Sequence, residues 1–270
     1  MSEIKILKRD GTKEPLDLRS EERRVGKEPL DLDKLHKVIF YACEGINGVS
    51  PSQVEINSHI SFYDGMTTTE IQETMIKAAA DLISEDDPNY QIVAGRLISY
   101  HLRKEAFGEF TPPALVDVVQ ENIKSKMYEP DLLNWYTVEE YETMDKWIDH
   151  DRDQNYTYAA MEQFRGKYLV QDRYSGKIYE TPQIALMLIG ATLFHKYPQE
   201  ERLTWVKDFY DSVSKFEISL PTPVMAGVRT AIRQFSSCVL IESGDSLDSI
   251  NATAGAIVKY VSKRAGIGIG

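Results

Sequence analysis

The sequence predicts an α+β chain that is mostly helical: a small β-hairpin sheet with a helix bundle at the N-terminus, a helical middle, and one strand-then-helix unit at the end. Three observations carry this. Short β-type runs stand near residues 4–18, 167–180 and 235–241, whereas apolar residues recur at i, i+3, i+4 and i+7 through much of the rest. Ser, Thr, Asp or Pro marks the start of most of these helical stretches. A length of 270 residues, 42% of them hydrophobic, is enough for about two domains with cores of their own.

The balance of 31 Lys and Arg against 42 Asp and Glu gives a net charge of −11. That argues against a general nucleic-acid surface and against an anionic membrane face, so any phosphate site has to be local. The longest apolar stretch, Ile184 to Phe194, is too short for a bilayer, and the start lacks a secretory pattern, so the cytoplasm is expected. Two distant cysteines, Cys43 and Cys238, make neither a disulfide framework nor a zinc site.

Ile4 and Ile6, then Leu16 and Leu18, flank Asp10-Gly11, a pair suited to a type I′ hairpin turn because both central residues take positive φ. Lys8 and Arg9 put two cations beside the turn's backbone N–H groups, where such a pair either holds a triphosphate or is a solvated edge. Glu14-Pro15-Leu16-Asp17-Leu18 recurs letter for letter from Glu28 to Leu32 across a charged spacer without apolar period. The spacer resembles the translation of a sequencing-library adapter, so residues 19–32 are expected to be an artefactual insertion; a genuine surface loop is the alternative.

Asp33 is placed to cap a helix through Leu35, Val38, Ile39 and Ala42 that ends near Gly45. Ser50-Pro51 starts a second with Val54, Ile56 and Ile60, ending at Gly65, and Thr67-x-x-Glu70 is a capping box for a third. Asp87-Pro88 opens a fourth, through Tyr90, Val93, Leu97 and His101 to the basic pair Arg103-Lys104, with Gly108 beyond; His101 reads as a packed residue.

Lys8-Arg9-Asp10-Gly11, Asp33-Lys34-Leu35, Phe62-Tyr63-Asp64-Gly65 with Thr67-Thr68-Thr69, and Ile76-Lys77-Ala78-Ala79-Ala80-Asp81-Leu82 together resemble the ATP-cone, the allosteric module at the front of many ribonucleotide reductases. The resemblance implies an ATP/dATP site with Lys8, Arg9 and Lys34 on the phosphates, Glu14 or its copy Glu28 near the ribose or base, and Thr68 and Lys104 at the same site. Gln72 departs from it, standing where some members carry a histidine that affects the dATP response.

Thr111-Pro112-Pro113 breaks the pattern and is expected to bound the module, giving 1–108 and then a helical domain over 109–234. Thr137 is a cap-like residue before Glu139 and Glu140. Asp149-His150-Asp151-Arg152-Asp153 reads as a charged helix end in preference to a metal cluster. Lys167–Val170 and Lys177–Glu180 predict a second hairpin around Ser175-Gly176, and Thr181-Pro182 caps a buried helix. A helix from Gln199 to Ser214 has a core face of Leu203, Val206, Phe209 and Val213.

Phe235–Ile241 is a strand, and Gly244-Asp245-Ser246 turns it into a helix carrying Leu247, Ile250, Ile257, Val258 and Val261, the unit that opens a parallel sheet or an α/β barrel. On spacing alone Cys238 reads as a structural thiol, and Gly266-Ile267-Gly268-Ile269-Gly270 is weak as a phosphate loop.

Ser219–Thr230, Arg233-Gln234-Phe235-Ser236-Ser237-Cys238, Gly244-Asp245-Ser246-Leu247 and Lys263–Ile269 resemble the large subunit of class I ribonucleotide reductase, of the enterobacterial and T4-phage type. The resemblance implies that 235–270 begins the reductase α/β barrel and that the chain is an N-terminal fragment, inactive alone. It implies that Cys238 is one of two thiols that reduce the ribose, that Thr222, Ser237 and Cys238 contact substrate, and that Asp245, Ser246, Leu247 and Ser262 form a specificity site for deoxynucleoside triphosphates across a homodimer. It further implies a radical-generating small (beta) subunit that holds the metal centre, no metal in this chain, and thioredoxin or glutaredoxin as reductant. Departures are Ala231-Ile232 and Gly270, where relatives have a proline with a polar residue and an asparagine. The alternative is a free-standing nucleotide-sensing module or a non-functional remnant; the missing CxxC pairs and the charge speak against a DNA-binding regulator.

Overall fold

The computed structural model describes residues 5–7, 13–15, 32–63, 65–263 and 265–270. Residues 16–31, which carry most of the repeat, and the Asp10-Gly11 turn lie outside them. The described chain is mostly helical and forms two compact units. Neither unit is one continuous stretch: the first takes Met1–His101 and Asp153–Glu162, the second Leu102–Arg152 and Gln163–Gly270.

In the first unit, β1 (Lys5–Leu7) pairs antiparallel with β2 (Lys13–Pro15), Ile6 opposite Glu14. The helices α1 (Leu32–Cys43), α2 (Pro51–His59) and α3 (Thr68–Ala80) follow, then α4 (Tyr90–Phe107), which continues into the second unit. The starts of α2 and α3 match their sequence signals, but α1 begins one residue before Asp33. The end of α2 falls at His59, well before Gly65, and Ile56 and Ile60 face outward while Val54 is buried. Tyr90 anchors the core, donating its hydroxyl to Gln53 Oε1 at 2.8 Å and accepting from the Ser50 amide at 3.0 Å. Arg96 gathers the carbonyls of Ala42, Glu44 and Gln154, and Gly95 lets α4 meet the main chain of Tyr156 and Thr157. Thus 153–162, with most of α8 (Tyr158–Gln163), packs on α4.

The second unit is built on α9 (Pro182–Phe194), apolar all round and buried over most of its length. Around it stand α5 (Leu115–Lys124), α6 (Leu132–Trp135), α7 (Val138–Trp147), α10 (Gln199–Ser214) and α11 (Thr222–Gly227). Tyr136 donates to the Ala191 carbonyl at 2.8 Å and Tyr210 to Gln183 Oε1 at 2.8 Å, so buried hydroxyls satisfy polar groups on α9. In α10 it is Tyr210 that is buried, with Val206 and Val213, while Trp205 is half-exposed. Thr137 forms the expected cap of α7, a reciprocal box with Glu140. Thr181 stands at the N-cap of α9, but its hydroxyl makes no cap bond, and Pro182 removes the first amide that would need one.

The second hairpin forms but is shorter than expected. Phe164–Tyr168 winds into a π-helical turn, and Gln171 bridges Ile178 antiparallel, flanked by bonds from the Tyr179 amide to the Val170 carbonyl at 3.0 Å and from the Asp172 amide to the Lys177 carbonyl at 2.9 Å. The ladder stops there because the Val170 amide donates to Glu180 Oε1 at 2.6 Å instead of to the facing strand. At the end of the chain β3 (Cys238–Ile241) pairs in parallel with β4 (Gly266–Ile269), and α12 (Leu247–Val261) crosses between them. The terminal glycine run is therefore a strand.

Asp149–Asp153 enters a 3-10 turn (His150–Asn155) whose charges meet protein partners: Arg152 pairs with Asp149 and with Asp211 at 2.9 Å. Burial, aided by Arg103, pushes the pKa of His150 down from 6.5 to about 4. The unfolded chain then takes up this proton first as pH falls. The stability gained by keeping His150 neutral is complete above about pH 6.5, is lost from there down to about pH 4, and levels off below. A loss on the order of 2–3 kcal/mol across that window is expected. Melting curves should show it in the parent chain and a flatter profile in His150→Gln; equal slopes would refute the assignment.

Candidate functional site

The first candidate site begins where β1 ends. The Leu7 amide donates to the Met66 carbonyl at 3.0 Å and Leu7 bridges Thr67 in parallel, so the main chain leading toward Lys8 and Arg9 is pinned beside the first turn of α3. Lys8 and Arg9 themselves lie outside the described residues. The helix starts here because Thr67 Oγ1 accepts from the Glu70 amide at 3.1 Å while Glu70 Oε2 accepts from the Thr67 amide at 2.7 Å. Those bonds to Thr67, with one from the Tyr63 hydroxyl, hold the Glu70 carboxyl below its usual range. Thr68 is the first residue of α3, half-buried, at the end of the helix where the dipole and backbone N–H groups favour phosphate oxygens. Glu14 enters the site's frame through its backbone in β2. Lys34 is exposed in the first turn of α1, in the same unit. Lys104 belongs to the second unit, where its ammonium lies 5.0 Å over the Phe110 ring.

One turn along α3, Gln72 Oε1 lies 2.7 Å from Nδ1 of His101, and Glu73 Oε1 lies 3.3 Å from Nε2. His101 is 3% exposed, so its place as a packed residue of α4 stands. What the sequence did not reveal is that both ring nitrogens meet partners from α3.

The second candidate site lies around Cys238. Thr222 opens α11, half-buried, with Pro221 at the N-cap. Cys238 opens β3, its thiol free and exposed among the described residues. The Gly266 amide donates to the Ser237 carbonyl at 2.9 Å, and a Cβ on Gly266 would meet that same oxygen at 3.2 Å. The glycines are thus what let β4 lie close beside Ser237 and Cys238. Ser246 caps α12 by accepting from the Ser249 amide at 3.2 Å, with Asp245 and Leu247 exposed beside it. Ser262 sits at the other end of α12, its hydroxyl on the Lys259 carbonyl at 2.8 Å. Sixteen residues of helical rise put Ser246 and Ser262 roughly 24 Å apart, so one copy of the chain does not bring Asp245, Ser246 and Leu247 together with Ser262.

Residues 21–105 match the ATP cone domain, and residues 154–233 match the family described as "Ribonucleotide reductase, all-alpha domain". The alpha subunit of ribonucleoside-diphosphate reductase from Haemophilus influenzae is 57% identical over 266 residues, 98% of this chain and 33% of that protein. The Escherichia coli ribonucleoside-diphosphate reductase 1 alpha subunit is 61% identical over 242 residues, covering 90% of this chain and 32% of its own length. The chain belongs to the ribonucleotide reductase large-subunit family. The phage T4 alpha subunit is 47% identical over 88% of this chain and 31% of its own. The chain therefore spans about a third of the length of the curated relatives it matches.

Within this reductase frame, the ATP-cone match takes in Lys34, Thr68 and Lys104 and begins after Lys8, Arg9 and Glu14. The all-alpha match holds Thr222 and stops before Ser237. Among the described residues no helix is long and apolar enough to cross a membrane, and no group of three His, Cys, Asp or Glu is placed to hold a metal ion.

Proposed function

We propose that this chain is the large-subunit portion of a cytoplasmic ribonucleoside-diphosphate reductase, which reduces ribonucleoside diphosphates to deoxyribonucleotides under nucleotide control, with 235–270 opening its α/β barrel. The observation that carries the reading is the place of Cys238 at the head of β3, the first strand of a parallel strand–helix–strand unit closed by β4. In the overall step the substrate's 2′ C–O bond breaks, its oxygen leaves as water, and a C–H bond takes its place at that carbon. Two thiols, Cys238 and one from the remaining two thirds of the subunit, lose two protons and two electrons and form a disulfide. Thr222 and Ser237 bind the substrate beside that thiol. A radical from a small (beta) subunit activates the sugar, and thioredoxin or glutaredoxin restores the thiols. Cys43 takes no part: it is buried, and burial pushes its pKa up to about 11.

Lys8, Arg9, Glu14, Lys34, Thr68 and Lys104 bind the regulatory ATP or dATP, on a module we delimit as residues 1–108, ahead of the helical domain 109–234. Asp245, Ser246 and Leu247 of one copy and Ser262 of another hold the specificity effector.

ATP and dATP titrated calorimetrically into the chain, with and without residues 19–32, test the regulatory part. Micromolar binding is expected, weakened about tenfold or about 1.4 kcal/mol by Thr68→Ala; no binding to either form would overturn the site. In the complete subunit with its partner, Cys238→Ser should form no deoxynucleotide, and retained turnover would overturn the role of Cys238.

A further inference from the structure

Midway between Thr222 and Cys238 stands Arg229, fully buried against Glu180, which is fully buried as well. The guanidinium makes four bonds to three groups. It donates through Nε to Glu180 Oε2 at 2.7 Å and through Nη2 to Glu180 Oε1, and it also donates to the Met225 carbonyl at 2.6 Å and the Tyr168 carbonyl at 3.0 Å. Glu180 accepts in addition from the Tyr128 hydroxyl and the Val170 amide, and the Arg229 carbonyl accepts from the Glu129 amide at 3.0 Å. One ion pair thereby joins the end of α11, the π-helical turn, the segment leading into α9 and the approach to α6.

Its place in the chain gives this knot a purpose beyond stability. With only six residues, α11 is too short to hold its own direction. The buried run Met225–Arg229 is followed by a half-buried to exposed stretch from Thr230 to Cys238, so Arg229 is the last fully anchored residue before the thiol. Thr222 lies seven residues before it and Cys238 nine after. A buried ion pair is also a poor device for stability alone, since apolar residues of similar volume usually serve as well. What the planar fork adds is a fixed direction for each of its bonds.

We infer that the Glu180–Arg229 pair is a positioning device that sets where Thr222 and the Cys238 thiol stand relative to one another, without touching the substrate. This rests on the reductase reading of Cys238. A small displacement of a reacting group costs rate steeply, of order a hundredfold for about 1 Å.

The experiment uses the complete large subunit with its radical-generating partner and compares Glu180→Gln/Arg229→Met, Arg229→Lys and Cys238→Ser. The double variant keeps its melting temperature within about 3 °C, and its kcat falls at least about tenfold. KM for the ribonucleoside diphosphate changes less than kcat, and ATP binding at the ATP-cone is unchanged. Arg229→Lys, which keeps the charge but loses the fork, recovers part of kcat. A double variant that folds and turns over within about twofold of the parent overturns the inference. If the double variant does not fold, Arg229→Lys decides: a folded Arg229→Lys within about twofold of the parental kcat overturns it, a folded one with a larger loss upholds it, and failure of both to fold makes the pair a fold determinant only, which also overturns it. Turnover by Cys238→Ser would sink the reductase reading separately, whatever the pair does.

Discussion

Arg229→Met alone is expected to cost about 3–5 kcal/mol of folding free energy, a large share of the 5–15 kcal/mol that domains usually have. The cost comes less from the lost attraction than from what is left behind. Glu180 would keep a carboxylate in the interior with only the Tyr128 hydroxyl and the Val170 amide to satisfy it, and the carbonyls of Met225 and Tyr168 would lose their donor. Burial works against the guanidinium's charge, and the adjoining Glu180 carboxylate holds it charged; removing either partner strands the other. Urea unfolding of the single and double variants checks this, because Glu180→Gln/Arg229→Met should regain most of the loss. A single variant within about 1 kcal/mol of the parent would mean that the pair is open to water.

Gly95→Ala should destabilise by about 2–3 kcal/mol, the reverse of its usual sign. In an unencumbered helix interior the same change gains up to about 1 kcal/mol through propensity. A Cβ at Gly95 would overlap the Tyr156 carbonyl oxygen and sit 3.0 Å from the Thr157 carbonyl carbon, and main chain cannot swing aside as a side chain can. Gly255, exposed in α12 with nothing within 4 Å of its added Cβ, supplies the control: Gly255→Ala should stabilise. Equal midpoints for the two variants in denaturant would show that 153–162 does not press on α4.

Much of the helical frame was legible because helix starts are written locally. Thr67 with Glu70, Thr137 with Glu140, Pro51 and Pro182 all mark helix starts found in the structure. Ends were harder. Helices α5 and α10 stop at Lys126 and Phe216, which take positive φ without being glycine, and each closes with the paired amide-to-carbonyl bonds of a Schellman turn. No residue type announces such a stop. The hairpin at 167–180 came out short for a different reason, since the Glu180 carboxylate takes the Val170 amide that would have extended its ladder. The candidate sites divide in the same way. Thr68 could be placed from its capping box, but the pairing of Arg229 with a glutamate 49 positions away leaves no trace in local pattern.

The discontinuous make-up of the first unit bears on the order in which it is made. Residues 153–162 complete the surface around Gly95 and Arg96, yet the second unit's Leu102–Arg152 is translated before them. At about 5–20 residues per second, the interval from His101 to Glu162 is about 3–12 s, during which that flank of α4 is bare on the nascent chain. The nucleotide-binding unit therefore cannot close as an early folding cassette at the ribosome, and a graft of it into another protein that ends with α4 would arrive without its last piece.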